Sequence, residues 1–385
     1  MTQLVLHTRV VVGAGGGPEK TIINSPRFLE HDGYPMVLAY MRSPDDAGFA
    51  ALEQRAAERN ADLVAIDDNG PFDWGIVRRF RELCERLQPT IWHAHDYKSD
   101  LIGLLLRRHF PNMHLVTTTH GYVERTWKLP AYYAIDKWCL PRYEHVVCVS
   151  EDLYETVTGL GVPASRCTFV PNGIDTDEFR RLRPSVEAKR EAGVPDGRMV
   201  VGAVGRLSAE KGFDMLIKAF SRVLASTDTD AELWILGEGR ERPNLEQLIA
   251  DLGLGDRVKL MGFRTDTLEL YQCMDAYALS SLREGLPNVV LEAMATGVPL
   301  VATRTAGVPS VVEDGESGLL LDPGDEDALT DRLSRLMTSR ELRERLAAGA
   351  RKTIEERYSF ALRMSRIKRI YDQVTGRAES GADPS

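Results

Sequence analysis

Cysteine is scarce in this chain. Only Cys84, Cys139, Cys148, Cys167 and Cys273 occur in 385 residues, an odd number, scattered, with no pair in CxxC spacing. That scarcity argues against a disulfide framework or a cysteine-ligated zinc site and fits a reducing cytosol. Positive charge is also short: 48 lysines and arginines face 57 acids, for a formal net charge of −9. General nucleic-acid binding needs a basic face, so the deficit argues against it, and an anionic ligand has to be met by local cations. No apolar run approaches the ~18 residues of a membrane-spanning helix. The opening stretch MTQLVLHTRVVVGAGGG lacks the basic start and long apolar core of a signal peptide. Repeats of about 20–50 residues and low-complexity tracts are missing as well. These absences describe a cytoplasmic enzyme or binding protein.

The remaining composition is that of a globular protein, 43% apolar and 27% charged. The length suits two domains of ~190 residues. Short apolar runs alternate with helix-length amphipathic stretches throughout. Strands are expected at 4–7, 36–40, 62–66, 90–94, 115–119 and 146–150, then at 199–205, 232–237, 258–262, 276–280, 299–303 and 318–321. Two such series predict an α/β protein of two doubly wound, Rossmann-like domains with a cleft between them. The expected division is a first domain over 1–172, a linker over 173–190 and a second domain over 191–357. A C-terminal helix over 358–376 is expected to pack back toward the first domain, and 377–385 forms a polar tail.

The stretch SSLREGLPNVVLEAMATG (280–297) sets Glu284 in a loop and Glu292 two turns into an expected helix. Pro287 suits the first helical position. Behind it, the amides of Asn288 and Val289 and the helix dipole favour an anion such as phosphate. Glu292, four residues after Asn288, lies about 6 Å further along the same face. That is the span from a diphosphate to ribose hydroxyls, which a carboxylate accepts well. Glu284 reaches the other way, toward a sugar. The plainer alternative is a first-turn acid and a solvated helix residue. In GRLSAEKG (205–212), Arg206 and Lys211 flank a turn at a strand's carboxyl end, where α/β domains collect ligands. They suit a diphosphate leaving group, or are simply solvated.

GRLSAEKG followed by EGLPNVVLEAMATGVPLVAT (284–303) resembles the donor domain of retaining glycosyltransferase family 4, which has the GT-B fold, and the glutamates match its E-x7-E element. PNGID (171–175), THGY (119–122) and LWILGEG (233–239) resemble further segments of that family in the same order. The resemblance implies transfer of a sugar, with retention, from a UDP- or GDP-sugar to a hydroxyl acceptor, a lipid-linked or polysaccharide one being favoured. Arg206 and Lys211 would contact the diphosphate and Glu292 the ribose. Glu284 would hold the sugar, with Gly285, Leu286, Pro287, Asn288 and Val289 beside it, and His120 would sit near the reacting carbon. Gly16 and Gly17 would approach the donor phosphates, with Gly237 and Phe263 near the nucleotide. His95, Asp96 and Tyr122 are candidates for the acceptor side.

Three Asp-x-Asp triplets, at 175–177, 228–230 and 325–327, read as caps or turns. With two cations available, neither a metal nor another cofactor is required. His93, His95 and Asp96 also read as structural residues at a strand end. The aromatic and basic stretch 125–143 suits either a membrane interface or a helix's core face. Gly13, Gly15 and Gly17 fail the G-x-G-x-x-G register, which disfavours a dinucleotide enzyme. A GT-B sugar-nucleotide epimerase and a non-catalytic nucleotide- or glycan-binding subunit are the rival functions.

Overall fold

The computed structural model describes residues 2–71, 73–120, 134, 135, 137–284 and 286–377. They divide into two compact units, one formed by residues to 172 together with those from 361 on, the other by 173–360.

The first unit holds a seven-stranded parallel sheet. Its strands are β1 (Val5–Val10), β2 (Met36–Arg42), β3 (Asp62–Asp67), β4 (Ile91–Ala94), β5 (His114–Thr119), β6 (His145–Cys148) and β7 (Cys167–Phe169), in the order β3-β2-β1-β4-β5-β6-β7. Alternate residues of β2 face opposite ways, as strand geometry requires. Val37, Ala39 and Met41 pack with Phe80, Leu83 and Trp92, whereas Leu38 and Tyr40 pack with Ile22, Phe49 and Leu52. Burial on both faces explains why these strands read as continuous apolar runs.

The second unit repeats the arrangement with six parallel strands: β8 (Met199–Val204), β9 (Ala231–Leu236), β10 (Val258–Gly262), β11 (Ala276–Leu279), β12 (Leu300–Thr303) and β13 (Leu319–Leu321). Their order is β10-β9-β8-β11-β12-β13. Trp234 and Leu236 face one apolar layer, Leu233 and Ile235 the other. In each sheet the connection reverses direction beside the first strand, between β1 and β4 and between β8 and β11. Such switch points are where open α/β sheets bind ligands.

Every run read as a strand forms one, and β7 is the strand that was not expected. The stretch 173–190, expected as a linker, has its contacts inside the second unit. Arg181 donates to the carbonyls of Gln272 and Met274, and Leu182 N–H donates to Gln272 Oε1 at 2.9 Å. The helix Phe360–Thr375 carries the chain back to the first unit. There Arg363 donates to the carbonyls of Val170 and Pro171, and Tyr34 donates to Asp372 at 2.6 Å. Among the described residues, no helix is long and apolar enough to cross a membrane.

Candidate active site

In the second unit, the loop after β8 and the loop after β11 are joined at several points. Gly212 takes φ +61°, and a Cβ there would stand 2.3 Å from the Ser280 carbonyl, so only glycine allows this approach. Ser280 Oγ donates to the Lys211 carbonyl at 2.9 Å, and Leu282 N–H donates to that of Glu210 at 2.7 Å. These bonds bring Lys211 and Glu284, 73 residues apart in the chain, into a direct ion pair. Ser281 Oγ also donates to Glu284 Oε1, at 2.9 Å. Both members of the pair are largely shielded from water, their side chains 17% and 14% exposed, so the attraction is weakly screened. Arg206 stands exposed on the same loop.

The helix Asn288–Ala295 opens beside this pair. Pro287 is its N-cap, with φ −76° and ψ 127°, and not its first helical residue as the sequence suggested; its extended ψ keeps it just outside the helix. Pro287 makes no side-chain cap, and the leading amides, those of Asn288 and Val289, have no intrahelical acceptor. One turn on, Glu292 is buried rather than solvated, and Tyr271 donates to its Oε2 at 3.2 Å. Burial and the nearby Glu292 hold the Tyr271 hydroxyl well above its ordinary pKa, so it stays a donor. Leu286 packs against Gly307, where a Cβ would meet the Leu286 nitrogen at 2.7 Å. Gly237, at φ +140°, leaves no room for a Cβ, which would stand 1.9 Å from the Gly205 carbonyl. Phe263, just after β10, is 75% exposed.

In the first unit, the amides of the glycine-rich loop are partly spoken for. Gly13 N–H donates to Asp46 and Gly16 N–H to Glu19, each at 2.6 Å. Glu19 is itself buried and paired with Arg9, which also donates to the His95 carbonyl at 2.8 Å. Gly17 starts the helix Gly17–Asn24. Asp96 caps the helix Tyr97–Leu106, accepting from the amides of Val10, Lys98 and Ser99. Its carboxylate serves the backbone first. His95 Nδ1 lies 3.1 Å from His120 Nε2, so these two expected site residues do meet. Burial, followed by the charges of Arg9 and Arg363, pushes the His120 pKa well below its ordinary value.

Tyr122 and Gly285 lie outside the described residues, as do Trp127, Tyr132 and Tyr133 of the aromatic stretch. The Asp-x-Asp triplets have local partners. Asp175 accepts from the amides of Asp177 and Glu178, Asp230 pairs with Arg198 and Arg257, and Asp325 caps the helix Glu326–Thr338. Sequence reasoning missed Ser281, Tyr271 and His7. Ser281 belongs to a loop read for Glu284 alone and Tyr271 to a stretch given no reading of its own, and their partners become visible only once the strands are paired.

Residues 185–353 match the family model for glycosyl transferases group 1, and residues 15–178 that for glycosyltransferase family 4. The D-inositol 3-phosphate glycosyltransferase of Corynebacterium urealyticum is 31% identical over 309 residues, covering 75% of this chain and 72% of that protein. The N-acetyl-alpha-D-glucosaminyl L-malate synthase of Bacillus anthracis is 27% identical over 307 residues, covering 79% and 80%. Among solved structures, Anabaena Alr3699/HepE in complex with UDP superposes with a TM-score of 0.80 at 22% identity, covering 97% of this chain and all of that one. Sucrose-phosphate synthase from Thermosynechococcus elongatus gives 0.77 at 19%, covering 98% and 100%. At such identities these two structures speak for the fold, which is that of GT-B enzymes.

Proposed function

Because the chain belongs to the group 1, family 4 glycosyltransferases, we propose that it moves a sugar from a UDP-sugar to an acceptor hydroxyl with retention of configuration. The observation that carries this reading is the Lys211–Glu284 pair at the open end of the helix Asn288–Ala295, with Glu292 buried one turn on. A diphosphate at the helix end gains from unshared amides and the dipole. Lys211 and Arg206 meet the negative charge that grows on the leaving oxygen. When the donor binds, Lys211 exchanges the Glu284 carboxylate for phosphate and frees Glu284 to accept from sugar hydroxyls. Glu292, aligned by Tyr271, accepts from the ribose. Phe263 and Gly237 border the nucleotide, Leu286 lies beside Glu284 at the sugar, and His120 faces the sugar.

With the leaving charge met by side chains and amides, the donor needs no metal. The acceptor is bound by the first unit, through the glycine-rich loop and the His95 region. A polysaccharide or lipid-linked acceptor, a cytoplasmic location and peripheral contact with the membrane complete the reading. The UDP complex of the structural relative is the reason for preferring UDP to GDP.

Melting the protein with UDP, GDP, ADP and dTDP tests the donor. A ligand at 1,000 times its Kd adds about 4 kcal/mol to the folded state, so UDP should stand out. A panel in which no nucleoside diphosphate shifts the melt would remove the donor site. Proton NMR of the first transferred product then reports the anomeric configuration directly.

A further inference from the structure

Four imidazoles crowd β1, β4 and β5, His7 and His93 within their strands and His95 and His120 just past the ends of theirs. His7 and His93 are register partners on adjacent strands. His93 and His95, two residues apart, share a face. His7, His93 and His95 offer nitrogens within 4.8 Å of one another, the look of a metal site. Their bonding argues otherwise. His93 has both nitrogens engaged, with Tyr371 Oη at 2.6 Å and Thr118 Oγ1 at 2.7 Å, and its ring stacks on that of His95 at 4.5 Å.

The other three rings form a chain. His7 Nδ1 lies 2.9 Å from His95 Nε2, and His95 Nδ1 lies 3.1 Å from His120 Nε2. The centroids of these pairs are 5.2 and 5.3 Å apart, with planes inclined 24° and 29°. Each separation exceeds the nitrogen–nitrogen distance by little more than two ring radii, so the rings lie edge to edge as a ribbon. At the inner end, His7 Nε2 is buried with no hydrogen-bond partner among the described residues.

Three neutral rings carry three protons on six nitrogens. Each of the two hydrogen bonds needs one proton, so the third sits at one end of the ribbon, on His7 Nε2 or on His120 Nδ1. The ribbon therefore has two polarities and no others. A buried N–H without an acceptor is rarer in proteins than a buried acceptor lacking a donor. The inner end is thus left bare, and the third proton goes to the outer end.

We propose that His7 is a positioning residue that closes the inner end of this ribbon and so fixes His120 as the Nδ1–H tautomer, offering that proton to a substrate hydroxyl. The tautomer follows from the ribbon alone; its use on the sugar rests on the reading of His120 given above. Neutrality, which the proton count requires, is secured by burial. Burial lowers the pKa of His7 to about 3 and that of His95 and His120 well below the ordinary value, with Arg9 adding to the effect on both.

The test uses the full chain labelled with ¹⁵N-histidine, reading tautomers from long-range proton–nitrogen correlations, with His120 assigned by its loss in His120→Gln. Wild type should show His120 protonated at Nδ1. His7→Met sets a thioether, which can accept but not donate, against His95 Nε2; the His95 proton should then be drawn inward and His120 should shift toward Nε2–H. With UDP-glucose as donor probe, His7→Met should lower kcat for UDP release about tenfold with KM unchanged. An Nε2–H tautomer in wild type, or an unchanged tautomer in a folded His7→Met, overturns the proposal. Should His7→Met fail to fold, the wild-type spectrum still decides. Full activity in His120→Gln would instead sink the assignment of His120 to the sugar, leaving the tautomer result intact.

Discussion

Mild acid should unfold the first unit before the second. All eight histidines of the chain fall within residues 1–172, and the second unit has none. Five of the eight have depressed pKa values. Burial holds His7 at about 3 and His145 at about 4, and burial, with neighbouring imidazole and arginine charge, holds His93, His95 and His120 well below the ordinary value. An unfolded histidine titrates near 6.5. Below that pH the unfolded chain takes up protons that the folded chain refuses, so stability is complete above about 6.5 and is lost as the pH falls. The slope is about 1.4 kcal/mol per pH unit for each such group.

At pH 5 His7 and His145 have then each cost about 2 kcal/mol. Together they account for about 4 kcal/mol, and the other three act in the same direction. A whole domain has about 5–15 kcal/mol to lose. Carboxylates do not confuse the window. Asp73, held at about 2 chiefly by the Asn69 amide, and Asp230, held down by Arg257, lose their contributions only as the pH falls below the ordinary carboxylate range. Hydrogen exchange read by mass spectrometry at pH 7 and pH 5, corrected for intrinsic rates, follows the two units separately. Peptides from β1, β4 and β5 should lose several kcal/mol of protection while those from β8 and β11 hold theirs. A loss in the first unit smaller than that of one histidine, about 2 kcal/mol, would refute the argument. So would an equal loss in both units.

The donor site makes sharper demands. Glu284→Gln should lower sugar transfer by at least ~100-fold while leaving UDP binding intact, since the glutamate is assigned to the sugar; calorimetry with UDP beside a turnover assay separates the two. Lys211→Met should instead weaken UDP itself, and equal UDP affinity in this variant would remove Lys211 from the diphosphate. Tyr271→Phe deletes the donor that aligns Glu292, a bond to a charged group worth about 1.5 kcal/mol, so the Kd for UDP should rise about tenfold. Gly237→Ala forces a Cβ into the Gly205 carbonyl, and its melting point should fall by more than a surface substitution allows, with the UDP-induced shift lost.

Much of the fold was legible because both sheets are parallel and buried on two faces, which leaves apolar runs such as VVCVS and MVVGAVG that no surface requirement interrupts. β7 escaped because three residues, Cys167–Phe169, carry too little pattern to distinguish a strand from a turn. The pairing of Lys211 with Glu284 was half legible: each was singled out for the donor, but their ion pair depends on Gly212 passing close to Ser280, a matter of backbone approach. The histidine ribbon was legible only in part. His95 and His120 each drew attention for their own surroundings, yet nothing in VLHTRV marks His7. What joins them is the sheet order. Because β1 lies beside β4 and β4 beside β5, three strands distant in the chain become neighbours, and residues 7, 95 and 120 come into successive contact. The same switch of direction that creates a binding crevice in doubly wound sheets therefore also creates the ribbon. Were β1 to pair elsewhere, His120 would keep its loop and its charge environment but lose the partner chain that selects its tautomer.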